Sequence, residues 1–281
     1  MTRPYYAQRK GNSSGQFDFL ALRQLAGSLF QKLDVDGFFD ESFGFHCVDQ
    51  GFVAGKLGQH VEFTVHIRLG KPNLWPFVER VYDYDEDDLF SVIEFLYDHV
   101  SKPVRGQLHD YGNCGMHWEE FDVEAGRKEF REHVNLLLAR YGEGYELSLQ
   151  GEILETAPAG MAPLLQADVP ITNANVQARL QSAIAKFRER KSTPNDRRDV
   201  IRDLADVLEY LRPQLKTVLT KKDDAALFQI ANEFGIRHHN PMQKVDYDPN
   251  IWLSWMYYFY LATIHAGTRL IEKAEAGSAS P

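Results

Sequence analysis

The stretch Phe234-Gly235-Ile236-Arg237-His238-His239-Asn240-Pro241 closes one helical pattern and leads, through Met242 to Pro249, into another that is strongly apolar. Gly235 suits the position just past a helix end, and Pro249 suits a first helical turn. Between them a guanidinium, two imidazoles and a carboxamide fill four consecutive positions. A break between helices lets polar side chains converge without disturbing a packed core. The chain on either side reads as scaffold for this junction.

Working outward, the second half reads as helix throughout. Asn173 or Asn175 can cap a helix running to about Lys191, and Ser192-Thr193-Pro194 restarts the chain. From Asp196 to Leu211 the apolar stripe is Val200, Ile201, Leu204, Val207, Leu208 and Leu211, with charges opposite. Pro213 is placed to kink the end of that helix. Asp223 to Phe234 forms a third helix and Asn250 to Glu272 a fourth. In the fourth, Trp252, Trp255, Met256, Phe259 and Ile264 are apolar on more than one side, as in a helix that is buried or packs on a second copy of itself.

The first half mixes periods. Phe17 to Leu33 carries a helical stripe, Phe19, Leu22, Leu25, Ala26, Leu29 and Leu33. Val61, Phe63, Val65, Ile67 and Leu69 alternate with polar residues, which predicts a strand over Val61 to Leu69. Asp85 to Val100 and Val123 to Tyr141 are helices, the first capped by Asp85. Tyr145 to Leu149 and Glu152 to Glu155 form a short hairpin. Pro158, Gly160, Pro163 and Pro170 mark a boundary between Thr156 and Pro170. The expected organisation is an α+β domain over residues 1–160 followed by an all-α domain over residues 171–275.

Composition limits the function classes. The 281 residues are 44% hydrophobic, and 12% are aromatic, enough for a sizeable core. The segment before Ile171 holds 15 Lys and Arg against 27 Asp and Glu; the remainder holds 16 against 13. An acidic first half makes a poor nucleic-acid surface, whereas the mildly basic second half permits an RNA partner. The longest apolar run, Ile251 to Ile264, is short for a membrane span. Two cysteines make no disulfide framework, and no leader pattern opens the chain, so the expected location is cytoplasmic, without membrane contact.

Residues Arg188 to Leu270 resemble the higher-eukaryote and prokaryote nucleotide-binding (HEPN) family. The resemblance rests on Asp196-Arg197-Arg198-Asp199 opening a helix, on Phe234 to His239, and on the aromatic last helix. Gln8-Arg9-Lys10-Gly11, Leu22-Arg23-Gln24-Leu25 and Tyr141-Gly142-Glu143-Gly144-Tyr145 are similar to the N-terminal domain of AbiJ-type abortive-infection proteins. The resemblance implies a HEPN-like four-helix domain in a toxin-like phage-defence effector, acting as a homodimer through Trp252, Trp255 and their neighbours. Catalytic members are metal-independent ribonucleases whose motif is an Arg, a polar residue, several free positions and a His. Arg237 and His238 match its start. Met242, Gln243 and Lys244 occupy the window of the distal His, and His239 stands too early. The family also includes members that only bind RNA, nucleotides or a partner protein.

RNA cleavage without metal needs a base for the 2′-OH proton, an acid for the leaving 5′-oxygen, and a cation on the phosphorane. Imidazole titrates in the right range, and Arg is a fixed bidentate cation. Arg237, His238 and His239 are therefore the candidate catalytic residues. Asn240, Gln243, Lys244 and Tyr247 are candidates for holding phosphate or stacking a base. The structural alternative pairs Arg237 with Asp246 or Asp248 and lets the histidines bond a helix end. Arg197, Arg198 and Arg202 read as a salt-laced helix face. No cofactor is expected.

His46-Cys47 and Cys114-x-x-His117 could make a four-ligand zinc site. Adjacent ligands in the first pair are awkward, and buried cysteine with capped histidine is the preferred reading, so no metal site is expected. The composition shift yields a first test: limited proteolysis cuts first between Thr156 and Pro170 and releases a stable helical fragment, whereas first cuts inside Asp196 to Leu211 would contradict the division.

Overall fold

The computed structural model describes residues 3, 6–11, 15–142, 144–158, 160–165, 167, 169–189, 192–220 and 248–278. The chain divides into two compact units, Met1–Thr156 and Ala157–Pro281. The first mixes helix and strand; the second has helices and no strand among its described residues.

The first unit runs α1 (Tyr6–Arg9), α2 (Phe19–Val35), α3 (Asp40–Phe43), β1 (Phe45–Cys47), β2 (Gly51–Val53), α4 (Val61–Leu69), α5 (Phe77–Arg80), α6 (Glu86–His99), β3 (Lys102–His109), β4 (Gly115–Asp122), α7 (Val123–Leu138), β5 (Tyr145–Leu147) and β6 (Ile153–Glu155). Its three long helices begin at Asp caps. Asp18 accepts from the Ala21 amide at 2.8 Å and Asp122 from the Ala125 amide at 2.9 Å. Asp85 and Asp88 exchange bonds in a capping box, which satisfies amide donors that the helix itself leaves open. Leu22, Ala26, Phe30 and Leu33 of α2 meet Leu89, Ile93 and Leu96 of α6 and Phe130, Val134 and Leu138 of α7 in one buried cluster. Aromatic rings fill its end: Phe30 lies 5.0 Å from Phe39 and 5.1 Å from Phe77, and Phe39 stacks on Phe43 at 5.2 Å.

The strand expected over Val61 to Leu69 is a helix, α4. Alternation placed apolar residues at every second position, and such a set also contains an i, i+4 pair. Val61 and Val65 are that pair and are buried, while Phe63 and Ile67 emerge on the opposite side, each 67% exposed. Gly70, at φ 69°, closes the helix in the left-handed conformation. The hairpin expected near Tyr145 is present as β5 and β6. Asn135 of α7 holds it, accepting from the Leu147 amide at 2.6 Å and donating to the Leu147 carbonyl at 3.2 Å. Two further antiparallel hairpins, β1 with β2 and β3 with β4, were not signalled by alternation. Among the described residues Cys47 is the one buried apolar side chain on these four strands.

The second unit contains α8 (Ala162–Leu165), α9 (Ala174–Phe187), α10 (Pro194–Val218) and α11 (Pro249–Ser278). Asn173 caps α9, and Thr193 with Asp196 forms a capping box ahead of Pro194 on α10. Pro213 lies inside α10, which continues to Val218. Leu204, Leu208, Leu211 and Leu215 pack with Leu253, Met256, Tyr257, Tyr260 and Ile264. Near the start of both helices Arg197 lies over Phe187, which stacks on Tyr257. Further along, a Cβ on Gly267 would stand 2.6 Å from Leu215 Cδ2. The helices α10 and α11 therefore run in the same direction. The expected third helix, Asp223 to Phe234, lies outside the described residues.

Gly126 tests the packing of the first unit. On α7 its missing Cβ would stand 2.6 Å from the Ser101 Cα and the Lys102 amide nitrogen. Helix propensity favours Ala over Gly by about 1 kcal/mol, but overpacking against backbone costs about 1–3 kcal/mol. Gly126→Ala is expected to lower unfolding stability in urea by about 1 kcal/mol net; raised stability would contradict this contact.

Candidate functional site

All seven residues expected to bind or cleave RNA, Arg237, His238, His239, Asn240, Gln243, Lys244 and Tyr247, lie outside the described residues. The described part of the helical unit brings other groups together beside the start of α11. Phe187, at the end of α9, stacks face to face on Tyr257 with centroids 3.6 Å apart and planes 1° apart, and Tyr258 meets Phe187 edge-on at 6.0 Å. The Arg197 guanidinium carbon stands 5.3 Å from the Phe187 centroid. Arg188 is buried, 8% exposed.

Burial pushes the Tyr257 phenol well up and raises that of Tyr258, and the Arg188 charge opposes both shifts. The Tyr257 hydroxyl is buried with no hydrogen-bond partner among the described residues. Guanidinium groups beside aromatic faces can take a phosphate and a base. Arg198 and Arg202, by contrast, bond Asn195 and Asp199 within their own helix, as the salt-laced reading expects. Trp252 and Trp255 are 40% and 42% exposed and meet edge-on at 5.5 Å.

The first unit contains a second cluster. One donor atom each from Cys47, His109, Cys114 and His117 lies within 4.8 Å of the other three. Cys47 ends β1, and His109 ends β3. Cys114 sits in the turn, and His117 is on β4, where it pairs with Gln107 while His109 pairs with Gly115. His109 and His117 are thus diagonal neighbours on one face of the hairpin, with ring centroids 4.8 Å apart.

Cys47 Sγ stands 3.7 Å from His109 Nδ1, and Cys114 Sγ stands 3.2 Å from His117 Nε2. The other nitrogen of His109, Nε2, faces Asp49 Oδ2 at 3.1 Å. Gly112, Asn113 and Gly115 all have positive φ, which turns the chain tightly around Cys114. His46 is outside the cluster. Neighbouring strand residues face opposite ways, so Cys47 points in and the His46 ring lies 5.3 Å from Phe52. Sequence spacing marked Cys114 and His117. The joining of Cys47 and His109 to them, and the place of Asp49, depend on how two hairpins meet.

The orphaned hydroxyl gives a test in the helical unit. Removing it leaves no partner unpaired among the described residues, so Tyr257→Phe is expected to be neutral or stabilising. Tyr257→Ala is expected to cost about 3–5 kcal/mol by opening a cavity. Thermal unfolding that shows Tyr257→Phe to be as damaging as Tyr257→Ala would refute this reading of the core.

No family model, curated protein or solved structure matches the chain.

Proposed function

We propose that the chain is an RNA-directed effector of the abortive-infection type, in which the helical unit is a HEPN-like four-helix domain that cleaves or holds RNA. The observation that carries this reading is the pair of guanidinium groups, Arg188 and Arg197, beside the Phe187, Tyr257 and Tyr258 rings at the start of α11. Of these, Arg197, Tyr257 and Tyr258 lie on α10 and α11, the described helices on either side of the Arg237-His238-His239-Asn240 stretch in sequence.

In the catalytic form, one imidazole of His238 or His239 takes the 2′-OH proton. The 2′-oxygen then attacks phosphorus, and the departing 5′-oxygen receives a proton from an imidazolium. Arg237 meets the charge that grows on the phosphorane. A homodimer through Trp252 and Trp255 would set two such corners side by side and cover the exposed indoles. The second reading is a binding module, for RNA, a nucleotide or a protein regulator. It is favoured by one observation: Met242, Gln243 and Lys244 stand where the motif has its distal His.

The test incubates purified full-length protein with total RNA and tRNA beside Arg237→Ala and His239→Ala, with folding checked by circular dichroism. Loss of one preorganised charge donor lowers rate by on the order of a hundredfold, with little change in RNA affinity. Cleavage unaffected by both substitutions would remove the corner from the chemistry. RNA binding without cleavage, weakened in the variants, would establish the binding reading. Absence of both would end the proposal.

A further inference from the structure

The two hairpins of the first unit pose a physical problem. β1 and β2 are three residues each, and a lone two-stranded hairpin is marginal in water. Neither hairpin supplies a side chain to the buried apolar cluster of this unit among the described residues. Leu108 and Met116, paired across β3 and β4, are 68% and 39% exposed. Apolar contact at the strands is partial: the Phe45 ring lies 4.8 Å from His117, and Cys47 is their one buried apolar side chain among the described residues. Where the hairpins touch, a Cβ on Gly112 would lie 3.3 Å from the Val48 side chain, and the Cys114 thiol stands 3.9 Å from the His46 carbonyl. At that contact the two thiols and two imidazoles converge.

We propose that Cys47, His109, Cys114 and His117 bind one zinc ion that locks the β1–β2 hairpin to the β3–β4 hairpin. Zinc–sulfur bonds of about 2.3 Å and zinc–nitrogen bonds of about 2.0–2.1 Å, at tetrahedral angles, put sulfur and nitrogen about 3.6 Å apart. The two sulfur–nitrogen distances, 3.7 and 3.2 Å, bracket that value. Two sulfurs with two imidazoles in a tetrahedral set select zinc over magnesium, calcium or manganese. On binding, Cys47 and Cys114 each release a proton, so the ion's two positive charges meet two thiolates. Asp49 Oδ2 stands 3.1 Å from His109 Nε2 and would favour the tautomer protonated there, which leaves Nδ1 free to ligate.

All four coordination positions are filled by the chain, which makes the site structural rather than hydrolytic. The proposal does not depend on the RNA reading. Loss of zinc would unfasten the hairpins whether or not the helical unit acts on RNA.

The test uses the full chain. Elemental analysis of protein purified without added metal is expected to find one zinc per chain, falling several-fold in Cys114→Ser and His117→Gln and unchanged in His46→Gln. A strong zinc chelator is expected to lower the wild-type melting temperature by on the order of 10 °C. Zinc, and not magnesium, should restore it. Cobalt(II) added to the chelated protein should give the intense visible absorption of a tetrahedral thiolate site, absent in Cys114→Ser. The wild-type measurements carry the test even where a variant fails to fold. Wild type with no bound metal, no response to chelator and two thiols equally reactive with and without zinc would overturn the proposal. Zinc retained in both Cys114→Ser and His117→Gln would place it elsewhere and overturn it as well.

Discussion

Strands need something to lie on, and among the described residues neither the β1–β2 nor the β3–β4 hairpin supplies a side chain to the main apolar cluster of the N-terminal unit. The helices α2, α6 and α7 bury one another's stripes and close an aromatic core without them. What gathers the hairpins is a knot of thiols and imidazoles at their tips, drawn in by a turn with three positive-φ residues in four positions. Chains solve this shortage of core in few ways: a disulfide, a metal or another layer of structure. Here Cys47 and Cys114 are free, and their neighbours are imidazole nitrogens.

The helical unit rests on a different principle. Its described helices are amphipathic or buried, and α11 presents Leu253, Met256, Tyr257, Tyr260 and Ile264 along one stripe. At Gly267, where a Cβ would stand 2.6 Å from Leu215 Cδ2, the missing side chain lets α11 lie against α10. At one end Arg197 lies over the Phe187 ring, which stacks on Tyr257, with the buried Arg188 next in sequence to Phe187. Charge is divided in the same way along the sequence, with acid in the first unit and the modest basic surplus after it.

How much of this was legible in the sequence follows from the physics of each element. Helices with Asp, Asn or Thr caps and a continuous stripe were readable, because cap and stripe are both local signals. Val61 to Leu69 was misread because alternation and an i, i+4 pair coexist there, and burial of Val61 and Val65 chose the helix. The β1–β2 and β3–β4 hairpins carried no clear alternation, since Cys47 is their one buried apolar side chain among the described residues. The metal-type cluster was half visible as Cys114-x-x-His117. Cys47 and His109 come from strands whose pairing no spacing rule specifies, and His46 was wrongly grouped with its neighbour because strand geometry sends the two side chains apart. The Arg237 corner was legible as a motif, and it lies outside the described residues.

The most direct measurement of the central claim is the mass of the intact chain under native and denaturing conditions. A zinc lock predicts a native species heavier than the apo chain by one zinc less the two protons of Cys47 and Cys114, collapsing to the apo mass on acid unfolding. A native mass equal to the bare chain, with both thiols protonated, would contradict it.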